Sequence, residues 1–132
     1  MKLLLDTHTF LWFAGRQQYA LLPQATKDLL EDQANILFLS YASIWELAIK
    51  VSIGKMQLTE SVADLVRFQQ AKIGLQLLPL QLAHLDLIEH LPFHHKDPFD
   101  RLLIAQAQVE GLIVVGVDAA FDAYGVNRLW LS

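Results

Sequence analysis

Met1-Lys2-Leu3-Leu4-Leu5-Asp6 opens the chain, and the reading of this stretch decides the fold. Three consecutive leucines leave no polar face, so the run reads as a short strand buried on both sides, as in a parallel sheet covered by helices. Open α/β sheets hold their ligands in the crevice beyond the carboxyl ends of the strands. Asp6 stands at that end, so the first strand delivers an acid to the crevice.

The rest of the chain repeats this alternation. Leu3 to Leu5, Ile36 to Leu39, Leu75 to Leu78, Leu112 to Val115 and Arg128 to Leu131 read as short buried strands. Helical patterns fall between them over Thr9 to Ala14, Pro23 to Gln33, Ala42 to Ile53, Ser61 to Ile73, Leu80 to His90 and Pro98 to Glu110. Gly15, Gly54, Gly74 and Gly111 follow four of these patterns, and glycine just past a helix is a stop signal. Strands alternating with helices predict an α/β fold, a mostly parallel central sheet of about five strands with helices on both faces. The chain has 132 residues with no linker, repeat or low-complexity tract, which predicts one domain over 1–132.

Composition excludes several classes. Hydrophobic residues make up 54% of the chain, yet no run approaches the roughly 20 apolar residues of a membrane span. The N-terminal apolar run is broken by Asp6 and His8, unlike a signal peptide. Without cysteine there are no disulfides and no thiolate metal sites. A soluble cytoplasmic protein with no membrane partner is expected. Ten Lys and Arg against fourteen Asp and Glu leave a formal charge of −4, which argues against a surface that coats nucleic acid. A phosphate-bearing substrate would have to be held through metal and a few local cations.

Three further acids fall where later elements would carry them to the mouth that Asp6 occupies: Glu46, Asp100 and Asp118. Each has a structural reading beside the functional one. Asp6 is a favoured N-cap for the helix that follows. Ser43-Ile44-Trp45-Glu46 matches a capping box, although Ser40 caps equally well one turn earlier. No other charge occurs from Asn35 through Ile49, and a carboxylate in such surroundings needs a compensating partner, which favours ligation. Asp97 before Pro98 has the form of an N-cap followed by an N1 proline. Asp100 is then relieved of capping, though the helix dipole also favours an acid there. Asp118, ahead of Ala119-Ala120-Phe121, can cap as well. Two carboxylates about 5 Å apart repel by roughly 3 kcal/mol at an effective dielectric near 20, so four clustered acids call for a cation. Oxygen-only ligands select Mg²⁺ or Mn²⁺ over Zn²⁺ or copper, and such ions support hydrolysis of a phosphodiester by an activated water.

No predicted helix carries two histidines at the i, i+4 spacing of a zinc helix, so His8, His84, His90, His94 and His95 are expected at the surface or supporting the acids. Lys50 lies four residues after Glu46, and Arg101 adjoins Asp100. Each either reaches a substrate phosphate or forms a helical salt bridge worth about 0.3 kcal/mol. Trp12, Trp45 and Trp130 read as core residues or as platforms for bases.

These residues resemble the PIN-domain ribonucleases, and among them the VapC-like toxins of bacterial toxin–antitoxin pairs. Leu3-Leu4-Leu5-Asp6-Thr7-His8 resembles the first motif of that family, and Ser43-Ile44-Trp45-Glu46-Leu47-Ala48-Ile49-Lys50 the second. Lys96-Asp97-Pro98-Phe99-Asp100-Arg101-Leu102-Leu103-Ile104-Ala105-Gln106-Ala107 is similar to the third, and Asp118 with Phe121, Tyr124 and Gly125 to the last. The resemblance implies a PIN-like fold and an Mg²⁺-dependent endoribonuclease. Asp6, Glu46, Asp100 and Asp118 would be its catalytic, metal-binding acids, with Asp97 an occasional extra. It further implies an RNA substrate, a homodimer, and a cognate antitoxin lying in a groove between helices, with higher toxin–antitoxin assemblies. Val62, Leu65, Val66, Gln69 and Ile73, the helix Thr9 to Ala14 and Leu29-Leu30 would line that groove, or else pack in the core. One departure stands out: the family often has Thr or Ser two residues before the last acid, and here the residue is Gly116. The alternative to the enzyme is a non-catalytic PIN-like module that binds RNA or protein. A phosphoaspartate phosphatase is disfavoured, because its DxD pattern would need an acid where His8 stands.

Overall fold

A computed structural model describes residues 1–16 and 22–132. Five strands, β1 (Lys2–Leu5), β2 (Ile36–Ser40), β3 (Gln76–Leu78), β4 (Ile113–Val115) and β5 (Arg128–Leu129), form one sheet in the order β3-β2-β1-β4-β5. Every pairing is parallel, with Leu3 opposite Leu37 on one side and Ile113 on the other. The central strand is therefore the first one. Leu3, Leu4 and Leu5 are fully buried, each stabilising the fold by about 1.5–3 kcal/mol relative to exposure.

Alternation along β1 divides the core in two, since successive side chains of a strand point to opposite faces. Leu3 and Leu5 join Leu37 and Leu39 in a cluster with Phe10, Leu11, Leu30, Leu47 and Leu65. These come from α1 (Thr7–Phe13), α2 (Gln24–Glu31), α3 (Tyr41–Ser52) and α4 (Val62–Ile73). Leu4 faces the other way, toward Val114, Leu103, Ile104 and Phe121. That layer is built from α6 (Pro98–Glu110), with α5 (Leu82–His90) beside it and a 3-10 helix over Ala119–Tyr124. The predicted α/β architecture is thus the observed one, apart from the 3-10 helix, which has no counterpart in the sequence reading.

Local chemistry explains the boundaries. The first helix begins two residues earlier than its apolar pattern, because Asp6 caps it. Ser61 caps α4 through the Asp64 amide, and Gly74 ends it in the left-handed conformation with φ of 68°, a geometry that glycine adopts without a Cβ penalty. The α4 residues Val62, Leu65, Val66 and Gln69 are buried. Val62, Leu65 and Val66 thus pack within the chain, while Gln69 and the half-buried Ile73 also line a groove beside α1 and α2. Among the described residues no helix is long and apolar enough to cross a membrane.

The chain leaves β1 toward β2 on one side and later returns to pair β4 with its other edge. Strand order therefore reverses between β1 and β4, the kind of point at which a doubly wound sheet opens a ligand crevice beyond its carboxyl ends.

Candidate active site

Asp6 follows β1 directly. Its Oδ1 accepts the Thr9 amide at 2.8 Å and caps α1, while Oδ2 lies against the backbone at the end of β4. A β-carbon at Gly116 would stand 2.5 Å from that oxygen. The glycine noted as a departure from the family pattern thus makes room for the first acid. Asp118 repeats the arrangement at the next helix start: Oδ1 accepts the Ala120 amide at 2.9 Å, and Oδ2 lies 3.1 Å from His95 Nε2. Capping and ligation are not alternatives at these positions, because a carboxylate has two oxygens and the cap uses one.

Asp97 caps α6 through Oδ1, which accepts the Phe99 amide at 2.8 Å and the Asp100 amide at 3.2 Å. That leaves the Asp100 carboxylate for the crevice, with Oδ2 3.0 Å from His95 Nε2. The Asp97 amide donates to His95 Nδ1 at 3.2 Å, which assigns the ring proton to Nε2. One N–H is then shared by Asp100 and Asp118. Ligand atoms of His95, Asp100 and Asp118 all lie within 4.8 Å of one another, a spacing at which they could share one cation.

Glu46 enters from α3 and is buried. Its Oε1 accepts the Thr7 hydroxyl at 2.8 Å, and its Oε2 pairs with Lys50 Nζ at 2.9 Å. Ser40 caps α3 by accepting the Ala42 amide. Ser43 lies within the helix, its hydroxyl 2.9 Å from Thr7, so the Ser43 capping box does not form. Lys50 is the compensating partner that a buried Glu46 requires.

Electrostatics set these acids apart from surface carboxylates. Burial, reinforced by the Asp97 charge and more weakly by Asp6 and Glu46, pushes the Asp100 carboxyl up to about 7, with His95 opposing. Burial likewise raises Asp6 above its ordinary value against the Thr9 hydrogen bond, and Asp118 adds to the rise. Such shifts arise where desolvated carboxylates crowd without enough counter-charge. The carboxylate oxygens are a donor set that fits a hard divalent cation such as Mg²⁺ or Mn²⁺, with His95 a hydrogen-bonding partner of the acids.

Other charged residues fall away from this centre. Arg101, adjacent to Asp100 in sequence, is buried and donates to the backbone oxygens of Pro92, Ile88 and Leu91 at 2.9, 3.2 and 3.3 Å. Its guanidinium also lies 4.2 Å from the Phe93 ring centroid. It ties down the end of α5 and is not free for a phosphate. His84, expected at the surface or beside the acids, is instead fully buried. It accepts the Gln81 amide at Nδ1 and meets Glu110 at 3.0 Å through Nε2, fastening the start of α5. Thr7 and Gly116 support the acids, yet sequence reasoning assigned neither a role. The signals available were adjacency to Asp6 and the departure itself.

A PIN domain family model matches residues 3–127. Among solved structures, VapBC2 from Rickettsia felis bound to a promoter DNA fragment is similar to this chain, with 17% identity, TM-score 0.75, and coverage of 98% of this chain and 99% of that one. FitAcB from Neisseria gonorrhoeae is similar over 96% of each chain, with 19% identity and TM-score 0.63. VapBC-5 from Mycobacterium tuberculosis, a member of the VapBC family of toxin–antitoxin systems, is similar over 98% of each chain, with 18% identity and TM-score 0.57. At these identities the likeness is one of fold. No curated protein matches.

Proposed function

The chain belongs to the PIN domain family, and from that premise we propose that it is an Mg²⁺-dependent endoribonuclease, the toxin of a toxin–antitoxin pair acting in the cytoplasm. One observation carries the reading: Asp100 and Asp118, from separate elements, lie in a group whose ligand atoms are all within 4.8 Å of one another, the charges of Asp6 and Glu46 both act on Asp100, and burial pushes Asp100 up to about 7. A structural ion pair has no need of such crowding.

Asp6, Asp100 and Asp118 would hold the cation, with Glu46 beside them and Asp97 as a further donor. When bound, Mg²⁺ or Mn²⁺ offsets the charge of the scissile phosphate and lowers the pKa of an attacking water. The protein's own groups prepare for this. Thr7 and Lys50 fix both oxygens of Glu46. His95 spans Asp100 and Asp118 and holds them at a fixed separation. The proton that Asp100 retains near neutral pH must leave when a cation arrives, so binding and deprotonation are linked. The partners proposed are RNA, an antitoxin and a second copy of the chain. Antitoxin binding is supported by a groove of about 540 Å³ between α1, α2 and α4, lined by Trp12, Phe13, Lys27, Gln69 and Ile73. Residues 1–132 are read as one domain, since the same sheet contains both β1 and β5.

The test is RNA cleavage with Mg²⁺ present or chelated, in the parent and in Asp6→Asn, Glu46→Gln, Asp100→Asn and Asp118→Asn. Each variant should lose cleavage and keep its fold, because asparagine still caps at positions 6 and 118. Mg²⁺ should raise the melting temperature of the parent by mass action. Cleavage that survives chelation, with no thermal stabilisation by Mg²⁺, would leave a non-catalytic binding module as the better account.

A further inference from the structure

The tryptophans separate cleanly by environment. Trp12 and Trp130 pack against the core and meet edge to face at 5.9 Å. Trp45 does neither and remains 56% exposed. Its ring lies 5.3 Å from Phe99, nearly perpendicular at 77°. Trp45 immediately precedes Glu46 and Phe99 immediately precedes Asp100 in the chain, and Phe99 shares the lining of one recess with Glu46 and Asp97. Leaving an indole in water forgoes the stabilisation of burying it, and the core of this chain took the other two.

Beside Phe99 is a recess of about 260 Å³ whose lining includes Glu46, Ile49, Lys50, Lys55, Asp97 and Phe99. It is continuous with the acid cluster, since Glu46 and Asp97 belong to both. Its volume is near the small end of small-molecule sites, roughly 300–1,000 Å³. Lys50 is engaged by Glu46, whereas Lys55 is exposed and has no ion pair among the described residues. On a chain of net charge −4, an exposed lysine beside an acidic centre supplies local attraction that the rest of the surface lacks.

We propose that Trp45, Phe99 and Lys55 form a nucleotide subsite, in which the base next to the scissile phosphate stacks on Trp45 and the adjoining phosphate meets Lys55. This deepens the nuclease reading and rests on it. Single-stranded nucleic acid is held by the same pairing of aromatic faces and cations. A base stacked here would lie beside the recess that Phe99 shares with Glu46 and Asp97, which leads the strand toward the acids. The subsite selects single-stranded RNA with an unpaired base at that position and rejects duplex, whose bases are not free to stack.

The experiment reads binding apart from turnover. Anisotropy of a short fluorescein-labelled single-stranded RNA of mixed sequence is measured on Asp100→Asn protein, alone and combined with Trp45→Leu, Trp45→Phe or Lys55→Ala. Cleavage kinetics are measured on the same substitutions without Asp100→Asn. Trp45→Leu should weaken binding and raise KM by about thirtyfold, the middle of the range for loss of one base stack. Trp45→Phe should restore most of both, and RNA should quench tryptophan emission in the parent but not in Trp45→Phe. Unchanged affinity and KM in Trp45→Leu would overturn the subsite while leaving the nuclease reading intact. So would unchanged RNA binding together with loss of self-association or of antitoxin binding, since the face would then belong to a protein partner. Absence of cleavage by the parent would defeat the nuclease reading alone, because anisotropy would still report whether RNA binding depends on Trp45.

Discussion

Replacing Gly116 with alanine places a β-carbon 2.5 Å from Asp6 Oδ2 and 2.9 Å from Cγ, where favourable contact lies at about 3.5–4.0 Å. The carboxylate must withdraw by about 1 Å. Backbone strain contributes nothing, because Gly116 is not among the glycines with positive φ. Asp6 has little room to withdraw, since it is buried and its Oδ1 is held by the Thr9 amide. Overpacking costs about 1–3 kcal/mol and loss of the cap about 1 kcal/mol. The lower chain entropy of unfolded alanine offsets about 0.4–1 kcal/mol. A net loss of ~2 kcal/mol should lower the melting temperature by roughly 8 °C in a domain of this size. If Asp6 holds the cation as proposed, displacing its Oδ2 should also weaken Mg²⁺ binding by about tenfold or more, the scale seen when ligand support is disturbed. Differential scanning calorimetry and Mg²⁺ titration read the two effects separately. A Gly116→Ala protein with the parent's melting temperature and Mg²⁺ affinity would show that the oxygen is not confined, and the steric account would fail.

The raised pKa of Asp100 predicts a pH dependence of stability in the metal-free protein. The folded state keeps its proton up to about pH 7, whereas the unfolded chain releases it near 3.9. The folded state therefore binds more protons between these values, and stability falls as pH rises across that window. The full difference would be about 4 kcal/mol, and screening at this partly exposed group reduces it to about 2 kcal/mol. Urea denaturation from pH 4 to 8 should show the decline in the parent and its loss in Asp100→Asn. Arg101→Leu should cost about 1–3 kcal/mol, because it leaves the Leu91 oxygen without a donor among the described residues, while the Pro92 and Ile88 oxygens keep the Tyr124 hydroxyl and the Leu91 amide. Arg101→Lys should recover little of that, which thermal melts would check, as one ammonium cannot reproduce the planar fork. Asp97→Asn should stay within a few tenths of a kcal/mol of the parent, while Asp97→Ala should lose about 1 kcal/mol with the α6 cap.

The order of elements was legible in the sequence because its causes are local. A run such as Leu3-Leu4-Leu5 has no polar face, and Gly74 and Gly111 end helices through their own backbone freedom. Acids at strand and helix ends could be named for the same reason, since the residue after an apolar run is a position along the chain. The 3-10 helix after Asp118 was missed because it is short and has no sustained period.

What the tertiary structure alone decided concerns partners distant along the chain. Strand order follows from pairings such as Leu3 with Leu37 and Ile113, and no local pattern encodes which edge of β1 each takes. Asp100 and Arg101 are neighbours in sequence, yet successive residues of a helix point about 100° apart. One faces the acids and the other the α5 carbonyls. His84 looked like His90 in sequence, but one is buried and the other exposed. Whether Asp6 caps or ligates was not a choice the sequence could make, because the answer depends on where each of its two oxygens points. Gly116 shows the division most plainly: the sequence identified it as a departure, and only the approach of β4 to Asp6 explains it, because a steric exclusion between residues 110 positions apart exists only once the sheet has formed.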